Sequence, residues 1–208
     1  MKTEYILAFS FLATAIFTTI LAPLQANTEE GDDEVSGAII TCRGIPATIV
    51  GTSGPDVLQG TTGDDVINGL GDDDIIVGDD GNDRICGGSG NDIIFGDSNG
   101  DPPCAGNCND VIFGGTGDDE LHGDEGVDDI RGNKGNDQLF GDDGNDEILR
   151  GGPGNDSIDG GDGDEPFLIG GGGSDGFSGG GGADVCNGGA GADFLILPDT
   201  CETEISIP

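Results

Sequence analysis

Gly87-Gly88-Ser89-Gly90-Asn91-Asp92-Ile93-Ile94-Phe95 is the cleanest copy of a nine-residue unit, G-G-x-G-x-D-x-U-x with U a large apolar residue. The unit recurs almost without pause from Gly51 to Ile196, opening with Gly51-Thr52-Ser53-Gly54-Pro55-Asp56-Val57-Leu58-Gln59 and Gly60-Thr61-Thr62-Gly63-Asp64-Asp65-Val66-Ile67-Asn68. A fixed short period marks a stacked solenoid, in which each unit buries its apolar residue only against its neighbours. The first six residues read as a glycine-rich turn in which carbonyls can crowd without side-chain clashes. The last three read as a short strand whose middle residue points away from its two neighbours. That middle column is the predicted core: Leu58, Ile67, Ile76, Ile85, Ile94, Ile112, Leu121, Ile130, Leu139, Ile148, Ile158, Leu168, Phe177, Cys186 and Leu195.

The composition sets a condition on this architecture. With 42 Asp+Glu against 6 Lys+Arg the formal net charge is −36, and 44 of the 208 residues are Gly. Self-repulsion and backbone entropy on that scale describe a disordered chain. A sequence patterned for a core, yet too charged to close it, needs counterions. The same charge repels nucleic acid and anionic membrane surfaces, so neither is expected as a partner.

The repeat resembles the hemolysin-type, or repeat-in-toxin (RTX), calcium-binding nonapeptide family. The resemblance implies an all-β fold, a right-handed parallel β-roll (β-solenoid) of about eight 18-residue coils, two units to a coil, here with disulfide-tied end caps. It also implies calcium ions between the loops of successive coils, held by the repeat aspartates and loop carbonyls. Carried over by position, the metal ligands are Asp56, Asp65, Asp74, Asp83, Asp92, Asp110, Asp119, Asp128, Asp137, Asp146, Asp156, Asp175, Asp184 and Asp193, with Asp101 and Glu165 at degenerate units. Asp56 and Asp193 stand in terminal loops, each with a neighbouring coil on one side only. The chemistry agrees independently, because calcium takes six to eight oxygens in forgiving geometry and carboxylates and carbonyls are what these loops offer. Loading on the order of ten divalent ions would offset most of the charge. Since an unfolded chain has no preformed site, binding and folding are expected to be one process.

Three places depart from the pattern. Residues 96–113 are read as one full coil that keeps the register, a degenerate unit Gly96 to Cys104 followed by Ala105 to Phe113. Pro102 and Pro103 cannot donate to a ladder, so an irregular insert at 96–110 is expected to bulge. Within it Asp97-Ser98-Asn99-Gly100-Asp101 resembles half of a calcium loop, without the closing Glu, since Cys108 stands there. Arg150 reads as an insertion ahead of the unit at Gly151, and Gly160 to Ile169 is a ten-residue unit with Glu165 in place of Asp. The glycine-rich stretch from Gly170 to Gly182 is expected to hold the least stable strands.

Outward positions also carry information. If alternate units share a face, Val57, Ile75, Val77, Ile93, Phe95, Val111 and Phe113 form one apolar stripe, giving way to Asp129, Arg131, Glu147 and Leu149 farther along. Such a stripe marks a contact. Either the cap at Ala38 to Val50 covers it, or it serves self-association or an unknown surface partner through Val77, Phe95 and Phe113.

Residues 1–26, with Lys2, an apolar run from Tyr5 to Leu24 and a small residue at Ala26, read as a signal peptide. The expected organisation is then 27–50 as linker and cap, 51–196 as calcium-binding repeats and 197–208 as C-terminal cap, in a secreted, extracellular protein with no membrane contact after cleavage. Six cysteines in an exported chain imply disulfides, although fifteen connectivities are open. Cys42 with Cys86 would pin the N-terminal cap, Cys186 with Cys201 the other end, and Cys104 with Cys108 would close a local loop. Cys86 with Cys104 is a rival. A zinc site is disfavoured by the spacing and by a single histidine, His122.

No enzyme is expected. Gly172-Gly173-Ser174-Asp175-Gly176 mimics a nucleophile elbow, but without a strand-to-helix context or a following histidine it is an accident of repetition. The expected function is a structural, adhesive or calcium-buffering one, the alternative being an accessory module of a secreted protease, lipase or polysaccharide epimerase. A calcium-binding polymer that stays disordered is a further reading.

Overall fold

The structure is a computed structural model that describes residues 33–36, 39–98, 108–195 and 201–206. The signal segment at 1–26 lies outside those residues, as do Asp101 and Cys104. Two parallel sheets face one another. The nine-stranded sheet contains Ile49–Val50, Val66–Gly71, Arg84–Ser89, Val111–Thr116, Asp129–Lys134, Ile148–Pro153, Leu168–Gly172, Asp184–Ala190 and Cys201–Ser206. The eight-stranded sheet contains Val57–Gln59, Ile75–Val77, Ile93–Phe95, Glu120–His122, Gln138–Phe140, Ser157–Asp159, Gly176–Ser178 and Phe194–Leu195. The chain alternates between the sheets, so each strand pairs with the one a full coil away, as Ile67 with Ile85 and Ile76 with Ile94. The result is a parallel β-solenoid of about eight turns.

Its core is one column with one apolar side chain per half-coil, from Ile67 to Cys186, essentially without solvent exposure. Each burial contributes about 1.5–3 kcal/mol, and no single residue anchors the fold. Leu58 and Leu195 close the ends of the column only partly buried.

One core position differs from the expected column. Leu149 is buried rather than Ile148, and it pairs with Ile130, while Arg150 lies beside Arg131. The amides of Glu147 and Ile148 both donate to the Asp128 carbonyl, at 2.9 and 3.3 Å, so the extra residue is a bulge at the start of the strand. A strand absorbs an extra residue as a bulge, whereas an insertion at Arg150 would displace the loop that keeps Gly151 and Asp156 in phase.

The irregular segment changes more. Ile94 lies in the eight-stranded sheet and Ile112 in the nine-stranded one, so the chain between them makes half a coil, not the full coil expected. Phe113 therefore pairs with Cys86 and Arg131, and His122 takes the place beside Phe95. The reason lies in the column. The core position of the degenerate unit is Pro103, which offers neither a donor nor a large side chain, and the stack resumes with Ile112.

The outward stripe is split as a consequence. Val57, Ile75, Val77, Ile93 and Phe95 line the eight-stranded sheet, with Val57 79% and Ile75 42% exposed. Phe113 is on the opposite sheet and buried. An antiparallel sheet of Asp33–Ser36, Ile39–Cys42 and Ile45–Pro46 forms the cap, and the Cys42–Cys86 disulfide fixes it above the nine-stranded sheet. There Asn68 Nδ2 donates to the Thr41 carbonyl at 2.8 Å, and the Arg43 guanidinium lies 4.6 Å from the Phe113 ring centre. The cap thus covers Phe113 and Val111, not the Val57-to-Phe95 stripe. At the far end Cys186, a member of the core column, bonds Cys201 and holds the last strand against Asp184–Ala190. Cys86 is committed to Cys42, which overturns the rival Cys86–Cys104 pairing. Cys108 is also in a disulfide, but a Cys104–Cys108 bridge lies outside the described residues.

Candidate metal sites along the coil edges

The sheet-to-sheet turns place the repeat aspartates in two ladders, one along each edge. One contains Asp56, Asp74, Asp92, Asp119, Asp137, Asp156, Asp175 and Asp193. The other contains Asp65, Asp83, Asp110, Asp128 and Asp146, then Glu165 and Asp184. Along these ladders the backbone N–H of one residue donates to Oδ1 of its counterpart one coil later, as Asp65 to Asp83 at 2.8 Å and Asp128 to Asp146 at 3.0 Å. Glu165 keeps the donor half of this place, its N–H donating to Asp184 Oδ1 at 3.0 Å, but its longer side chain accepts no amide from the coil before.

The second carboxylate oxygen is the chemically informative one. Oδ2 of Asp74, Asp83, Asp110, Asp119, Asp128, Asp137, Asp146, Asp156 and Asp175, and both oxygens of Glu165, are buried without a hydrogen-bond partner. A buried carboxylate oxygen without a donor is costly. Each aspartate Oδ2 faces the bare Cα of the glycine that opens its own unit, except that of Asp110, which faces Gly96 at the start of the interrupted unit before it. Over Gly69 that space is shared by Asp74 Oδ2 and the Gly87 carbonyl, and over Gly123 by Asp128 Oδ2 and the Gly141 carbonyl. A Cβ on either glycine would fill it. The glycine is thus required for close packing of carboxylate and carbonyl oxygens, and such a crowd of acceptors without donors suits a hard cation nearby. Among the described residues no three His, Cys, Asp or Glu side chains converge on one point, so further ligands there would be backbone carbonyls.

Burial raises the proton affinity of these groups. It pushes Asp128 up to about 9 and Asp110 and Asp119 to about 8, against the pull of the backbone amide one coil earlier and with help from neighbouring carboxylates. Asp83, Asp137 and Asp146 rise to about 7, Asp74 and Asp156 to about 6, and Glu165 to about 8, with burial again the leading cause. The most strongly shifted of them, Asp110, Asp119, Asp128 and Glu165, favour the protonated form at neutral pH unless a cation stands beside them.

Asp56 and Asp65 differ. The Thr52 hydroxyl donates to Asp56 Oδ2 at 2.9 Å, and the Thr61 amide and hydroxyl donate to Asp65 Oδ2 at 2.7 and 2.8 Å. Threonine at the second position of these units meets the carboxylate internally. Asp193 is half-buried at the last turn, its Oδ1 accepting the Asp175 amide at 3.1 Å.

One feature escaped the sequence reading. The fifth position of the unit, treated as free, forms a ladder of opposite sense, in which its side chain accepts the amide one coil later. Asn91 Oδ1 takes the Asp118 N–H at 2.9 Å and Asn136 Oδ1 the Asn155 N–H at 2.9 Å. The recurrence of Asn and Asp at 64, 73, 82, 91, 109, 118, 136, 145, 155 and 164 was the available signal. Asp97, read from the sequence as the start of half a calcium loop, is 3% exposed with neither carboxylate oxygen hydrogen-bonded, while Asp101 lies outside the described residues. Burial pushes it up to about 7.

A comparison with protein families finds the RTX calcium-binding nonapeptide repeat (4 copies) at residues 50–85, 72–101, 105–139, 122–149, 146–165 and 167–195. A comparison with curated proteins finds no match.

Proposed function

Since the chain belongs to the RTX calcium-binding nonapeptide repeat family, we propose that it is a secreted, non-catalytic β-roll that folds on calcium and serves a structural, adhesive or calcium-buffering role. The observation that carries this reading is the repeated pairing of a buried, donor-free Oδ2 with a glycine carbonyl along both edges. Calcium bound there would neutralise the ladders. The chain's residues supply the rest: Oδ1 locks successive loops together, and the opening glycine keeps the space free of side chains. The Cys42–Cys86 and Cys186–Cys201 bridges fit an oxidising compartment and would hold both ends before metal arrives. The carboxylates proposed as ligands are Asp74, Asp83, Asp92, Asp110, Asp119, Asp128, Asp137, Asp146, Asp156, Asp175, Asp184 and Glu165. Asp56 and Asp65 stand apart because threonines already serve them.

Calorimetry and circular dichroism of the oxidised chain across a calcium titration, with magnesium as control, test this reading. A coil spectrum that turns β-rich cooperatively with calcium alone supports it. Full β structure in chelator removes the coupling of folding to metal, and a chain that takes up no calcium removes the function.

A contact role is a second reading, favoured by the exposure of Val57 and Ile75 on the eight-stranded sheet, which the cap among the described residues leaves open. It concerns self-association or a surface partner and leaves the calcium edges unchanged.

A further inference from the structure

Asp97 lies outside the consensus aspartate position, as the second residue of the unit that the irregular segment interrupts. Asp83 and Asp110 on the same edge each have one oxygen satisfied by a backbone amide, whereas Asp97 has neither. The Glu125 amide is close enough to favour its charge but makes no hydrogen bond. Its own N–H donates to Asp124 Oδ2 at 3.3 Å, and of the neighbouring charges that of Asp124 acts on it most strongly. Asp83 and Glu125 add further negative charge around it.

A buried carboxylate without a donor calls for a cation or a proton. A proton would neutralise Asp97 alone and leave the charges of Asp124, Asp83 and Glu125 around it uncompensated, whereas a divalent cation offsets them together. Threonine answers the same need at Asp65, but the residue after Asp97 is Ser98, and no hydroxyl reaches the carboxylate.

We propose that Asp97 and Asp124 hold an additional calcium ion, outside the nonapeptide consensus, at the edge where the irregular segment leaves the stack. Backbone carbonyls complete its coordination, since no third acidic side chain converges there among the described residues. The ion pins the loop at 96–98 against the loop at 124–125 and so fixes the point from which the chain skips half a coil. This inference rests on the proposed calcium-dependent folding.

The test counts bound calcium per oxidised chain, by equilibrium dialysis and calorimetry with calcium chloride, for the native sequence, Asp97→Asn, Asp124→Asn, the double variant and Asp79→Asn. Asp79 holds the second position one coil earlier and controls for charge. Asp97→Asn and Asp124→Asn should each bind one ion fewer, the double variant no fewer than either, and Asp79→Asn the native number. If Asp97→Asn fails to become β-rich in calcium, Asp124→Asn alone decides. A native count in the deciding variant overturns the site and leaves the calcium β-roll intact. A native chain that binds no calcium overturns both.

Discussion

The Thr61 hydroxyl donates to Asp65 Oδ2 at 2.8 Å, supplying from within one unit the contact that Asp83 Oδ2, one coil later, lacks. With the Thr52–Asp56 pair and the Cys42–Cys86 bridge, the first coil is built to persist without metal. Hydrogen exchange in chelator should show residual protection near Val66–Gly71 and little beyond Asp110. Thr52→Val with Thr61→Val should erase it, at about 1 kcal/mol for each hydrogen bond lost. Uniform exchange in the native chain would refute a metal-independent first coil.

Carboxylates raised from about 4 when unfolded to between about 6 and about 9 in the fold bind more protons folded than unfolded. Their contribution is fully present below the unfolded value and disappears as pH rises through the folded values. In chelator, β content should therefore be higher near pH 5 than at pH 8. In saturating calcium the order should reverse, as protons displace the metal. Circular dichroism at both pH values checks the sign, and equal signals in chelator would contradict it.

Gly117 and Gly63 hold the same consensus position, yet only one should matter. A Cβ on Gly117, at φ +137°, would fall on the Gly90 carbonyl, whereas one on Gly63 meets nothing within 4 Å. Gly117→Ala should lower the calcium-loaded melting temperature and raise the calcium needed for folding. Gly63→Ala should change stability by less than about 1 kcal/mol. Thermal melts of the two variants decide.

Leu149→Ala should cost about 2–5 kcal/mol in calcium-saturated protein, as a core truncation, and Ile148→Ala about 1 kcal/mol or less. Denaturant unfolding of both variants tests the bulge at Glu147 and Ile148. The reverse order would place the insertion at Arg150 after all.

Phe113→Ala should cost about 3–5 kcal/mol, because the ring is buried beneath the cap beside Arg43. Val57→Asp and Ile75→Asp should leave stability nearly unchanged. If the uncovered sheet serves self-association, sedimentation should show an oligomer in the native chain that these two substitutions dissolve. A native monomer would remove self-association and leave only a different partner.

Much of this protein is local information and is legible in the sequence. The nine-residue period determines the solenoid, the column from Ile67 to Cys186, and the two edges on which Asp74 to Asp184 stand, because each follows from what one unit can bury and expose. Even Glu165 keeps its place, since the phase of the repeat tolerates a longer carboxylate. What needed the tertiary structure is everything that depends on the neighbouring coil. Pro103 has no N–H for a ladder, and Ile112 crosses to the other sheet and carries Phe113 away from Phe95. The extra residue of the Gly141 unit enters the strand, where a bulge costs less than a displaced loop. Thr61 and Asp65 satisfy one another, and Asp97 meets no donor, only because of how the turns stack. A repeat fixes what each unit presents to its neighbours, while parity, bulges and the pairing of buried charge are settled only when one coil lies on the next.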